Sequence, residues 1–400
     1  MLEQPVFGRR LRQLRTERGL TLAALAGEGM STGYLSRLES GARQPTERAV
    51  AHLAAQLGIS PAELAQSTAT SLAQSLTLAA GLGPDEAGET LAQALKASGG
   101  EDPLLRWQAL WQVAEWRRRR REFTEQREAL DELAALSAAV GLPELQVRTL
   151  AELARCMRNM GQIHDAVATA TRAYELATSE NLPARVLTSA LLALVSALAE
   201  SGRLPDADRY ADELLALVEG QSGVRWAEAL WTAAAVRTRQ GDPEGAAVLL
   251  DRAIDGLSGR DDLTLWMRLR VSAAWTALLR TPPRTDEVEQ RIEELQACMS
   301  FAGTPSLEQE LLALRARVAV LQERPAQARA LLEQLEEYEA LTPYQERLRL
   351  DMLRNKVRLM EGEREAAVAA LRALAEEAQA SGNMDLAAEI WRMVADAVTQ

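Results

Sequence analysis

Apolar residues recur every three to four positions along most of this chain, a period that belongs to amphipathic helices. From Pro103 onward the pattern is interrupted by short polar turns: MGQIHDA at 160–166, SGRLPDA at 201–207, QGDPEGA at 240–246, QERPAQA at 322–328 and EGEREAA at 361–367, with a less regular TPPRTDE at 281–287. Gly161, Gly202 and Gly241 are 41 and 39 residues apart. Each turn is flanked by two amphipathic helices, so the repeating unit is a helix hairpin of about 40 residues. Such a unit cannot bury its apolar face alone, and stacking neighbours makes a continuous core. The pattern predicts seven hairpins, beginning near residues 104, 143, 183, 223, 262, 305 and 343, and a last helix at 384–398. The predicted fold class is all-α.

The first 64 residues follow different spacing. Leu11 and Leu14 mark an amphipathic first helix that carries Arg9, Arg10, Arg12, Arg15 and Arg18. Thr21 is placed to cap a short helix ending near Ala26, with Leu22, Leu25 and Ala26 inward. Gly27 and Gly29 permit a backbone reversal. Ser31 caps a second short helix with Leu35 and Leu38 on one side, and Gly41 lies just past its end. Thr46 starts a fourth helix whose Ala49, Leu53 and Leu57 close a small core.

The segments LRQLRTERGLT, LAALA and MSTGYLSRLESG, followed by Gln44-Pro45, resemble the helix-turn-helix domain of the phage-repressor (XRE) family over about residues 6–64. The resemblance implies a DNA reader. Thr32, Gly33, Ser36 and Arg37 would meet base edges, with Arg37 suited to guanine because its fork matches two acceptors. Thr21, Ser31, Tyr34 and Arg43 would contact phosphates and set register. It also implies a structural link between Arg15 and Glu39. Two departures stand out: Leu22 occupies a position where the family has glutamine, and the turn from Ala26 to Ser31 is one residue short.

The repeats resemble tetratricopeptide (TPR) repeats, with a period longer than the usual 34. Gly161, Ala166 and Ala173 follow that family's packing code of small residues, as do Gly241, Ala246 and Ala253. The resemblance implies a right-handed α-solenoid over 103–400. Between head and repeats, 65–102 reads as a helical, hinge-like connector with Ser67-Thr68-Ala69-Thr70-Ser71, Gly81-Leu82-Gly83-Pro84 and Ser98-Gly99-Gly100.

Charge sharpens the division. Residues 1–64 carry net +2, with all eight cations arginine, and the remainder carries −14. Basic charge lies where a duplex would bind. The first helix of each hairpin lines the concave side, and the repeat register puts Arg148, Arg155, Arg158 and Asn159 there, with Arg239 and Arg317 in comparable positions. Arginines can grip a carboxylate bidentately, and asparagine can bond a peptide backbone both ways. The opposing reading is solvated arginines paired with nearby glutamates. Eight tryptophans, including Trp107, Trp111 and Trp116 on one helix, read as core. The run Arg117–Arg121 suits a helix C-terminus.

A head of this kind followed by such repeats resembles peptide-pheromone-responsive regulators. It implies a homodimer on a palindromic operator, with a peptide, small-molecule or protein effector on the repeats. A second reading is a TPR adaptor with an incidental head. Enzymatic chemistry finds no support: His52 and His164 are the only histidines, no phosphate-binding glycine loop occurs, and carboxylates are scattered. No metal or cofactor is expected. Cys156 and Cys298 have no metal-ligand spacing and read as buried free thiols. With no apolar run of eighteen residues and no signal pattern, the expectation is a cytoplasmic protein.

Overall fold

The computed structural model describes residues 4, 6–61, 64, 72–97 and 102–399. The stretch 67–71 and Ser98-Gly99-Gly100, both assigned to the connector, lie outside the described residues. All regular secondary structure among the described residues is helical. The chain divides into two compact units, residues 1–109 and 110–400.

The head contains α1 (Val6–Glu17), α2 (Leu22–Ala26), α3 (Thr32–Glu39) and α4 (Glu47–Leu57). Its caps are local chemistry. Thr21 accepts a hydrogen bond from the Ala24 amide, Ser31 from that of Tyr34, and Thr46 from that of Ala49. Phe7, Leu11, Leu25, Leu35, Leu38 and Leu53 are fully buried and form one core. The short connection from α2 to α3 is a single 3-10 turn, Gly27–Gly29. Its glycines serve different ends. Gly27 has φ +56°, whereas a Cβ on Gly29 would lie 2.4 Å from the His52 ring. His52 Nε2 sits 2.8 Å from the Ala26 carbonyl, so this histidine ties α4 to the end of α2. Leu22 packs partly buried against the core, an apolar role that glutamine would not fill. Beyond the head, α5 (Leu72–Ala79) and α6 (Pro84–Ala97) pack on each other.

Seven hairpins follow. They are α7 (Pro103–Arg119) with α8 (Phe123–Val140), α9 (Pro143–Asn159) with α10 (Ile163–Ser179), and α11 (Ala184–Glu200) with α12 (Leu204–Leu217). Next come α13 (Val224–Arg239) with α14 (Pro243–Gly256) and α15 (Leu263–Leu278) with α16 (Thr285–Ala302). The last are α17 (Pro305–Leu321) with α18 (Pro325–Gln334), which runs into a 3-10 segment at Leu335–Leu341, and α19 (Tyr344–Met360) with α20 (Arg364–Ala380). Helix α21 (Met384–Thr399) completes the array. The code residues Ala166, Ala173, Ala246 and Ala253 are all fully buried, which lets adjacent helices approach closely.

Six of the seven hairpins turn through one residue in the left-handed region; the α15–α16 turn has none. Gly161, Gly202, Gly241 and Gly362 fill it with φ between 76° and 87°. Arg121 (φ 57°) and Glu323 (φ 56°) occupy the same place, at a conformational cost of roughly 1–2 kcal/mol each. The repeat unit also returns on itself: α9 touches α19, and α11 touches α21. There glycine does a second job. A Cβ on Gly161 would lie 2.5 Å from the Tyr344 ring, one on Gly382 2.6 Å from the His164 ring, and one on Gly202 3.1 Å from the Met384 Cβ.

Two expectations about the core need correction. Trp107 and Trp116 are buried, but Trp111, Trp226, Trp231, Trp266 and Trp275 are half-buried and Trp391 is exposed. Most of the half-buried indoles are roofed by an arginine instead of by other apolar side chains, as Arg268 roofs Trp231 and Arg270 roofs Trp266. Cys156 is buried, and burial pushes its thiol up to about 12. Cys298 is only half-buried.

The two kinds of turn glycine are separable. Gly241→Ala meets no neighbour and should cost about 1 kcal/mol of backbone strain. Gly161→Ala must also displace the Tyr344 ring, so its loss should exceed that of Gly241→Ala by about 1–3 kcal/mol in urea unfolding.

Candidate DNA-reading face and effector cavity

On the head, helix α3 buries Leu35 and Leu38 and exposes Thr32, Gly33, Ser36 and Arg37. A Cβ on Gly33 would meet only the Arg37 guanidinium, at 4.0 Å, so the surface there is flat and open. Thr21 and Ser31 each use an oxygen lone pair for their caps, which leaves the hydroxyl proton for another acceptor. Tyr34 is half-buried against the head core, and the exposed Arg43 lies 5.2 Å from its ring. The orientation of α3 is fixed by Arg15, which grips Glu39 through two nitrogens at 2.7 and 3.0 Å and donates to the Leu20 carbonyl at 2.9 Å. That hydrogen bond to Glu39 raises the Arg15 pKa. Of the eight predicted DNA contacts, seven therefore fall on α3 or just past its ends, while Thr21 caps α2.

The repeat unit encloses a cavity of about 440 Å³ lined by seven arginines and four glutamates. It is built from the first helices of the hairpins, because these face inward where the stack curves. Arg155, Arg158 and Asn159 line it, as does Arg239. Arg148 does not: it is exposed, 4.6 Å from the Trp111 ring, because a helical step of seven residues carries it out of the cavity. Arg317 is likewise absent from the lining and lies 3.4 Å from the Trp275 ring, where burial and the Arg349 cation push its pKa down.

Charges here are partly paired across hairpins. Arg158 bonds Glu200, whose side chain is 2% exposed. Arg239 lies 3.9 Å from the same carboxylate and 3.1 Å from Asp385 on α21. Turned to satisfy both its ends, the Gln345 amide donates to Glu200 at 3.1 Å and accepts from Arg239 at 3.0 Å. Arg155 pairs with Glu152 at 3.1 Å. Burial lowers the Arg239 pKa and raises those of Glu228 and Glu310, so the site holds its charges at a desolvation cost. The Nε atoms of Arg158 and Arg268 are buried without a hydrogen-bond partner. Asn159 makes no side-chain hydrogen bond among the described residues.

Several lining residues were not legible beforehand. Arg121 belongs to a basic run that reads as a helix end, yet its guanidinium reaches Gln309 at 2.9 Å, Ser306 and Glu310. Glu200, Gln345 and Arg349 come from hairpins distant in sequence, and only closure of the array unites them. Among the described residues no group of three metal-ligating side chains could hold a metal ion, and no helix is long and apolar enough to cross a membrane.

Residues 70–386 match the family described as MalT-like TPR region, and residues 6–66 match a helix-turn-helix domain. No curated protein matches the chain in sequence. Among solved structures it is similar to a Rap protein complexed with competence and sporulation factor (TM-score 0.55, 10% identity, 98% of each chain covered). It is also similar to the Rap conjugation gene regulator of the plasmid pLS20 in complex with the Phr* peptide (TM-score 0.52, 12% identity, 97% of each chain). Bacillus thuringiensis PlcR in complex with the peptide PapR7 and DNA aligns over 76% of this chain and 98% of its own, at 15% identity and TM-score 0.35. At these identities the likeness is one of fold.

The Glu200 network gives a direct stability test. Glu200→Ala leaves the Arg158 and Arg239 guanidiniums inside the cavity wall without their shared anion. The expected loss is about 3 kcal/mol, read by urea unfolding.

Proposed function

The chain belongs to the family of MalT-like TPR regions, and on that premise we propose that it is a sequence-specific DNA-binding regulator controlled by an effector in the repeat cavity. The observation that carries this is the exposed polar face of α3, set on a helix-turn-helix head with α3 braced by the Arg15–Glu39 pair. A packing module would place apolar residues at 32, 33, 36 and 37. Arg37 supplies the fork for a guanine, and Thr21, Ser31 and Arg43 supply donors for flanking phosphates. One such helix reads too few base pairs for specificity, so the protein acts as a homodimer on a palindromic site, in the cytoplasm.

The effector reading rests on the excess of arginine over glutamate in the cavity, together with Asn159. An anionic group would bond the buried Arg158 and Arg268 nitrogens, and the free Asn159 amide suits a peptide backbone. The two Rap structures of like fold support a peptide, since one is complexed with the competence and sporulation factor and the other with the Phr* peptide. Of the predicted effector residues, Arg155, Arg158 and Asn159 form the anchor and Arg148 stands outside it. The chemistry here is recognition; no catalytic role is assigned.

Two measurements test the reading. Arg37→Ala should weaken binding to a selected duplex by about 1–3 kcal/mol and leave binding to random duplex nearly unchanged, by fluorescence anisotropy at fixed salt. Equal losses on both duplexes would make Arg37 a phosphate contact. A pool of short acidic peptides should yield binders that change duplex affinity, and Arg158→Ala should weaken those binders about tenfold. An unchanged affinity would remove this cavity as the effector site.

A further inference from the structure

Part of the cavity wall is built around two cations that no short ion pair claims. The Arg268 side chain on α15 is 42% exposed, makes no hydrogen bond among the described residues, and leaves its buried Nε without a partner. Its carboxylate neighbour, Glu310 on α17, stands 3.8 Å away, a longer separation than any other cavity arginine has from its nearest carboxylate. What holds Arg268 is the Trp231 ring, 5.0 Å from its guanidinium carbon. Arg121 is fixed differently. It donates to Gln309 at 2.9 Å and to Ser306, and Gln309 in turn donates to Thr342 at 2.6 Å. Glu310 faces both guanidiniums, 3.6 Å from Arg121, and accepts a hydrogen bond from Ser306 at 3.4 Å. Each of these contacts is longer than the roughly 2.7–2.9 Å of a good guanidinium–carboxylate bond. Burial, and then the Glu346 carboxylate, raise the Glu310 pKa, so its charge stays there against a desolvation cost.

We propose that Arg121 and Arg268 form a carboxylate subsite of the effector cavity, and that Glu310 is a built-in stand-in which the effector's carboxylate displaces. Both cations are positioned by groups other than Glu310: Gln309 and Ser306 for Arg121, the indole for Arg268. The subsite therefore keeps its shape when Glu310 leaves. An incoming carboxylate is not tethered to α17, so it can meet both guanidiniums at bonding distance, where Glu310 does not. Glu310 also sets the charge requirement. A neutral group that displaced it would leave two guanidiniums in the wall without an anion. The subsite shares no carboxylate with Arg158, whose partner is Glu200, so the effector meets the wall at two places. This subsite rests on the effector reading above and specifies the group carried: an acidic side chain or a C-terminal carboxylate.

The test uses the full chain and the tightest peptide recovered from the acidic pool, titrated by calorimetry at fixed salt. Glu310→Gln keeps the size of the side chain and removes the competing charge, so it should tighten the peptide at least about fivefold. Arg268→Ala should weaken it about tenfold, and in that background Glu310→Gln should give no tightening. Peptides with one carboxylate at a time turned to an amide, the C terminus included, identify the group. Only the peptide that lacks it should be indifferent to Arg268→Ala. No tightening by Glu310→Gln, or a tightening that survives Arg268→Ala, would overturn the subsite. Should Glu310→Gln fail to fold, the amide series decides alone: equal losses on Arg268→Ala for every member would overturn the subsite. A pool that yields no binder ends the effector reading, and glutarate then tests the subsite by itself. It should shift the Trp231 indole N–H resonance of the unsubstituted chain and leave that of Arg268→Ala in place. No shift in the unsubstituted chain would overturn the subsite as well.

Discussion

A residue with left-handed backbone at six of the seven hairpin turns, glycine at four of them, is the constraint on which the repeat unit depends. Positive φ reverses the chain within two or three residues, which sets the two helices of each hairpin side by side. At Gly161, Gly202 and Gly382 the missing Cβ matters a second time, because Tyr344, Met384 and His164 from far along the sequence lie against them. Where closure makes no such demand, the same turn accepts Arg121 or Glu323 at a conformational cost.

Closure also decides the chemistry of the interior. Arg158, Glu200 and Arg239 meet through the stacking of successive hairpins (α9, α11 and α13), and Gln345 on α19 and Asp385 on α21 join them only because the array returns on itself. Desolvation works against every charge in that wall, so the arginines are held by shared carboxylates and by stacking on Trp231 and Trp275. The proposed anionic effector rests on a wall with more guanidinium than carboxylate. The head solves a different problem with the same residue type: Arg15 is spent on Glu39 to fix α3, and Arg37 is left exposed.

Much of the architecture was legible because it is local. The seven hairpin starts and the caps Thr21, Ser31 and Thr46 follow from turn chemistry and period, and the structure has them within a residue or so. The Arg15–Glu39 link came from family resemblance and is present. What escaped was non-local. Gly29 looks like a residue chosen for backbone freedom, but it makes room for the His52 ring. Arg121 looks like one member of a basic run, but it is a turn residue whose side chain crosses to the sixth hairpin. Arg148 shares its helix with Arg155 and Arg158, and helical spacing alone does not reveal where the concave wall stops.

The central claim is that the head reads a duplex sequence. Selection of duplexes from a random pool by the purified full chain, followed by titration with salt, tests it most directly. The account predicts one enriched sequence with two half-sites about one helical turn apart, bound with an affinity that falls linearly in log–log terms as salt rises. No enriched sequence, or binding indifferent to salt, would contradict it.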